Sequence, residues 1–228
     1  MENLRTQKNR PTGLDRRSFL QFAGAGAAGI ALLAAGCKKD ESMMLDSTGV
    51  NLGSGDVGIL NYAYALEQLE AAFYTKVASS FYTGITEAER LLLSDIKDHE
   101  IAHREFFKNA LGSNAIPGLE VDFSMINFSS RESVLATAKA FEDLGVSAYN
   151  GAGVLIKDSG YLTLAGKIVS VEARHAALIR DLISNGSFAN NEVVDSNGLD
   201  KSRLPMEVLA IAAPFIKTKI NGNDLPKS

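Results

Sequence analysis

Glu67 is followed seven residues later by Tyr74 and, 33 residues after Glu67, by Glu100, which opens a Glu-x-x-His ending at His103. The same order returns in the second half of the chain. Glu142 leads by seven residues to Tyr149 and by 30 to Glu172, which opens a second Glu-x-x-His ending at His175. A Glu and a His three residues apart share one face of a helix. Two helices with a lone Glu and two with Glu-x-x-His, all turned inward, supply the ligand set of a dinuclear, carboxylate-bridged metal centre in a four-helix bundle.

The surroundings of these residues argue for that chemistry. Glu67 lies in a stripe of Leu60, Ala63, Ala71 and Tyr74, and Glu142 in one of Leu135, Ala138, Val146, Tyr149 and Gly153. Glu172 and His175 interrupt an apolar stripe of Ala165, Ile168, Ile179 and Leu182. An ionised carboxylate in such a setting costs several kcal/mol unless it is paired, and four together repel one another. Two divalent cations would cancel all four charges. The expected roles are Glu100 and Glu172 as bridges, Glu67 and Glu142 as terminal ligands, and His103 and His175 as one nitrogen donor to each metal. Mixed carboxylate and imidazole ligation suits iron or manganese, with iron preferred. Tyr74 and Tyr149 are the candidate catalytic residues, placed to hydrogen-bond a ligand or relay an electron. Glu70, Asp98 and Asp143 are candidate outer partners for the imidazoles.

His99-Glu100-Ile101-Ala102-His103 also fits the zinc-protease pattern of two histidines and a glutamate base. The apolar stripe of that helix, Leu93, Ile96, Phe107 and Ala110, is centred between Glu100 and His103 with His99 toward its edge, which favours Glu100 as a ligand. The protease alternative also leaves the second half's matching pattern unexplained.

Four long helices must carry these side chains. The expected spans are about 57–80, then a helix opened by the capping box Thr86-x-x-Glu89 and ended near Leu111-Gly112. A third is capped by Ser129-x-x-Glu132 and runs to about 156, and a fourth covers about 161–184. Short turns join the first and last pairs, while residues 113–129, with Pro117-Gly118, make the long connection, so two helical hairpins dock together. Gly145, Gly151 and Gly153 on the third helix suit close packing or a homodimer contact. Residues 186–228 form an extension with a short apolar helix, Met206 to Ile216, capping the bundle. No stretch alternates apolar and polar residues over a strand's length. The expected fold is all-α, with the bundle at 57–185.

The amino terminus reads as an address. Asp15-Arg16-Arg17-Ser18-Phe19-Leu20 precedes an Ala/Gly-rich apolar run from Phe22 to Gly36, the pattern of a twin-arginine export signal. The run closes on Leu33-Ala34-Ala35-Gly36-Cys37, which resembles a lipoprotein processing box with Ala34 where Leu is usual. Cleavage would leave Cys37 lipidated and the protein periplasmic and membrane-anchored; an uncleaved anchor is the alternative, since about 18 apolar residues can just span a bilayer. Residues 37–56 read as a flexible tether. Cys37 is the only cysteine, so an intramolecular disulfide is excluded, as is an iron site built from four thiolates. Without residues 1–36 the chain holds 18 basic against 25 acidic residues, a formal charge of −7, which does not invite nucleic acid.

The segments Tyr64-Ala-Leu-Glu67-Gln-Leu-Glu70-Ala-Ala-Phe-Tyr74, His99-Glu100-Ile-Ala-His103, Phe141-Glu142-Asp-Leu-Gly-Val-Ser-Ala-Tyr149 and Glu172-Ala-Arg-His175 resemble the ferritin-like family that includes exported bacterial ferritin-like proteins and plant desiccation-related proteins. The resemblance covers about Val57 to Ser184, and Leu204-Pro205-Met-Glu-Val-Leu209 is similar to that family's tail. It implies redox chemistry at a di-iron or di-manganese pair, with dioxygen or hydrogen peroxide as the reacting partner: an oxidase or peroxide scavenger in a stress setting. The alternatives it leaves are a metal-binding protein without turnover and a structural protein that protects surfaces during drying.

Overall fold

The computed structural model describes residues 49–227. The export signal, Cys37 and most of the expected tether lie outside these residues.

Four long helices dominate: α1 (Gly55–Ser79), α2 (Glu87–Leu111), α3 (Arg131–Gly153) and α4 (Ser159–Ile183). The fold is all-α, a bundle of two hairpins, with α1 packed on α2, α3 packed on α4, and the hairpins meeting through α1 against α3. The starts follow local chemistry. Thr86 accepts from the Glu89 amide while Glu89 accepts from that of Thr86, closing the expected capping box. The third helix is capped one residue later than expected, by Ser130, whose hydroxyl accepts from Ser133 N. Ser129 lies outside the helix, and its amide donates to the Asn127 side chain instead. Asp158 caps α4 by accepting from Tyr161 N.

Burial separates the helices by role. α1 is enclosed on nearly every side, with Gly58 through Ala71 all buried, as befits a helix flanked by two helices and a crossover. α2 buries only a stripe: Glu89, Leu93, Ile96, Glu100, Phe107 and Leu111. The long connection between hairpins is tied to α1 by two buried amides. Asn61 donates to the carbonyls of Leu52 and Asn114 and accepts from Ile116 N, and Gln68 accepts from Leu119 N at 2.8 Å. Beside it Phe73 packs against Phe123, Phe128 and Phe141 at centroid distances of 6.0, 5.9 and 5.2 Å, filling that end of the bundle with rings.

The extension is more tightly bound in than its sequence suggests. α5 (Pro205–Ala212) buries Val208 and Ala212 and is shorter than the expected helix, passing into a 3-10 turn at Ala213–Phe215. A β pairing that the sequence does not announce follows. β1 (Val50–Asn51) runs parallel to β2 (Ile220–Asn221), and Leu52 beside it is fully buried. Residues 50–52, which composition assigned to the tether, are therefore part of the folded domain. Gly151 has an intrachain role, since a Cβ there would lie 1.7 Å from the Arg203 carbonyl oxygen. Arg180, 2% exposed on α4, reaches Asp143 on α3 and Asn190 and Glu192 beyond α4, fastening the loop after the bundle.

Candidate metal centre

The bundle brings all six expected ligands together. Glu67 comes from α1, Glu100 and His103 from α2, Glu142 from α3, and Glu172 and His175 from α4. Mid-helix positions set two turns or more from any end leave no slack in the backbone, so side-chain type and facing fix the geometry. The four carboxylates are fully buried and His175 nearly so.

Their donor atoms fall into two groups, each small enough to hold one metal ion: Glu67, Glu100, His103 and Glu172, and Glu100, Glu142, Glu172 and His175, with the atoms of each group within 4.8 Å of one another. Each group is one hairpin's own three residues plus the Glu of the other hairpin's Glu-x-x-His. Glu100 and Glu172 belong to both. The contacts are nearly symmetric: His103 Nδ1 lies 2.8 Å from Glu172 Oε1 and 3.5 Å from Glu67 Oε2, while His175 Nδ1 lies 2.8 Å from Glu100 Oε1 and 3.5 Å from Glu142 Oε2.

These close approaches are not aligned hydrogen bonds. Eight buried atoms of the six residues have no hydrogen-bond partner: Oε2 of Glu67 and Glu142, both oxygens of Glu100 and Glu172, and Nδ1 of each histidine. Elsewhere among the described residues such buried orphans are limited to Tyr62 Oη, Tyr82 Oη and Asp143 Oδ1. Lone pairs that converge without bonding one another suit an electrophile between them, and a mixed carboxylate–imidazole set is the donor chemistry of divalent transition metals. The residues present fit such ions.

Electrostatics point the same way. Burial pushes the Glu67 carboxyl up to about 7 against the pull of His103 and Tyr149, and it raises Glu142 and Glu172 as well. Glu100 is the exception. Burial opposes its charge, but the His103 and His175 rings outweigh this and hold it down near 2. Burial likewise disfavours the charged imidazoles, and the surrounding carboxylates overcome it, raising His103 to about 12 and His175 to about 10. Protons bound to these acids and rings occupy the positions at which a cation would bind.

Both tyrosines reach the cluster, across the hairpin boundary. Tyr74 on α1 donates to Glu142 Oε1 on α3 at 2.5 Å, and Tyr149 on α3 donates to Glu67 Oε1 on α1. Each phenol therefore orients the lone carboxylate of the opposite half. The expected outer partners of the imidazoles are corrected. Asp98 is largely exposed and pairs with Lys97, and Asp143 pairs with Arg180. Glu70 is buried beside Gly145, where a Cβ would come within 3.0 Å of its Oε1. Burial and the carboxylates of Glu100 and Glu172 push Glu70 well above the usual range. The side chain that does meet an imidazole is His99, whose Nδ1 is 2.9 Å from His175 Nε2. His99 stands in neither donor group, so the two histidines of the protease-like motif do not converge. Its partner is 76 residues away, beyond the reach of any local motif.

The sequence model of the ferritin-like domain matches residues 55–185. No curated protein matches the chain.

Proposed function

Because this chain belongs to the ferritin-like domain family, we propose that it holds a dinuclear iron or manganese centre and works as an exported oxidase or peroxide scavenger. The observation that carries the reading is the sharing of Glu100 and Glu172 between two otherwise separate donor groups. Glu100 and Glu172, common to both donor groups, would be shared between the two ions, while Glu67 with His103 and Glu142 with His175 would each complete the hold on one of them. Iron or manganese held there would supply two-electron chemistry, enough with two protons to turn one hydrogen peroxide into two waters without releasing a radical.

The chain's own residues prepare that chemistry. Four carboxylates balance two divalent charges, which removes the repulsion that otherwise raises their proton affinity. Tyr74 and Tyr149 fix one oxygen of Glu142 and of Glu67, leaving the other free to face inward. Leu66, Leu69, Phe107 and Leu144, all buried, belong to the apolar core that shields the cluster from water. Export by the twin-arginine route, which carries folded cargo, belongs to the same reading. Metal could then be inserted before the membrane is crossed.

The test is metal analysis of protein purified from its native export route, followed by assay of oxygen and peroxide consumption. Two equivalents of iron or manganese per chain are expected, with peroxide or oxygen consumed by wild type and not by Glu100→Ala. A single zinc, or two metals with no consumption of either oxidant, would overturn the redox reading.

A further inference from the structure

Within the dinuclear reading, we propose that His99 is the positioning residue of His175, and that it makes the two metal positions unequal. His175 turns Nδ1 toward Glu100 and Glu142, so its other nitrogen, Nε2, points away from the cluster and meets His99 Nδ1 at 2.9 Å. The two ring planes are 7° apart with centroids separated by 5.2 Å. That near-parallel placement lets an N–H in one ring run toward the in-plane lone pair of the other. A histidine that binds a cation through Nδ1 carries its hydrogen on Nε2. His175 is then the donor, His99 Nδ1 the acceptor, and the His99 hydrogen sits on its own Nε2.

The other imidazole lacks this support. His99 lies four residues before His103, and the matching position four before His175 is Val171, which has no acceptor. Among the described residues no side chain hydrogen-bonds His103 Nε2. A partner on the remote nitrogen fixes both tautomer and ring orientation of a ligating histidine. One metal position thus has a held ligand and the other a freer one, in a site whose six ligands are otherwise paired by near symmetry. His99 itself is exposed, so its replacement tests positioning without opening the core.

The experiment titrates the metal-depleted full chain with cobalt(II), followed by absorption and calorimetry, for wild type, His99→Ala, His99→Asn and Val171→Ala. Loss of an outer partner weakens a metal about 10–100-fold, so His99→Ala is expected to weaken one cobalt equivalent by that factor and leave the other unchanged. Asn places a carbonyl oxygen where Nδ1 stands, and restores binding. Val171→Ala leaves both equivalents as they are. Equal loss of both equivalents, loss of neither, or an Asn variant that behaves like Ala would overturn the assignment. Wild type that takes up fewer than two equivalents would sink the dinuclear reading instead. The pairing is then decided separately by nitrogen NMR of the metal-free protein: a scalar coupling between His175 Nε2 and His99 Nδ1 supports it, and its absence refutes it.

Discussion

Protons and a bound metal would compete for the same oxygens of Glu67, Glu142 and Glu172, and the competition would have a definite sign. In the metal-free fold Glu67 is raised from 4.5 to about 7, so its protonated form contributes stability that is fully present below 4.5 and lost as pH rises through about 7. Metal affinity runs the other way, because ligands bind deprotonated. Between pH 5 and pH 7.5 the metal-free protein is therefore expected to lose thermal stability from this group while the gain from added manganese grows. Paired melting curves across that range check both trends, and a metal-induced gain that shrinks with rising pH would contradict the proposed ligand role. The six donor residues were legible in the sequence because acid and imidazole recur at helical spacing inside apolar stripes. The contacts of His99, Glu70, Asp98 and Asp143 were not, since facing alone does not say which helix stands opposite.

At the level of elements, helix existence followed from periodicity and from caps such as Thr86 with Glu89. The Ser130 cap shows the limit of that reading, because Ser129 and Ser130 carry the same chemistry and only the path of the preceding turn chooses between them. Packing between α3 and the extension was also hidden. Gly151 stands where the Arg203 backbone crosses α3, and Arg203 N donates to Ser147 O at 3.0 Å. The glycine is required for close approach rather than for an unusual backbone angle. Gly151→Ala should force the 201–204 segment outward and cost about 1–3 kcal/mol, in the range of overpacking substitutions. Gly166→Ala on α4, with nothing within 4 Å of the added carbon, is the control and should be neutral or slightly stabilising. Urea denaturation of both variants measures the difference.

For the molecule as a whole, metal bound at the cluster would act as a cross-link between the hairpins, since every donor group draws on both of them. A ligand bound only to the native state at a hundred times its dissociation constant adds about 2.7 kcal/mol per site. For a domain of this size that corresponds to a rise in melting temperature of roughly 5–10 °C per site. Calorimetry with manganese and then with chelator should show the rise and its reversal, and unchanged melting with two bound equivalents would mean that the cations sit elsewhere. The parallel pairing of β1 with β2 has a different consequence. Asn51 also donates to Asp224 at 2.8 Å, so the first and last described segments lie side by side. A short linker turning back along this two-residue ladder could join them, with new extremities opened at Thr83-Gly84 in the first hairpin turn. Such a circular permutant would keep every expected ligand on its own helix while a link from the C-terminal extension to α1 replaces the α1–α2 turn as the covalent connection.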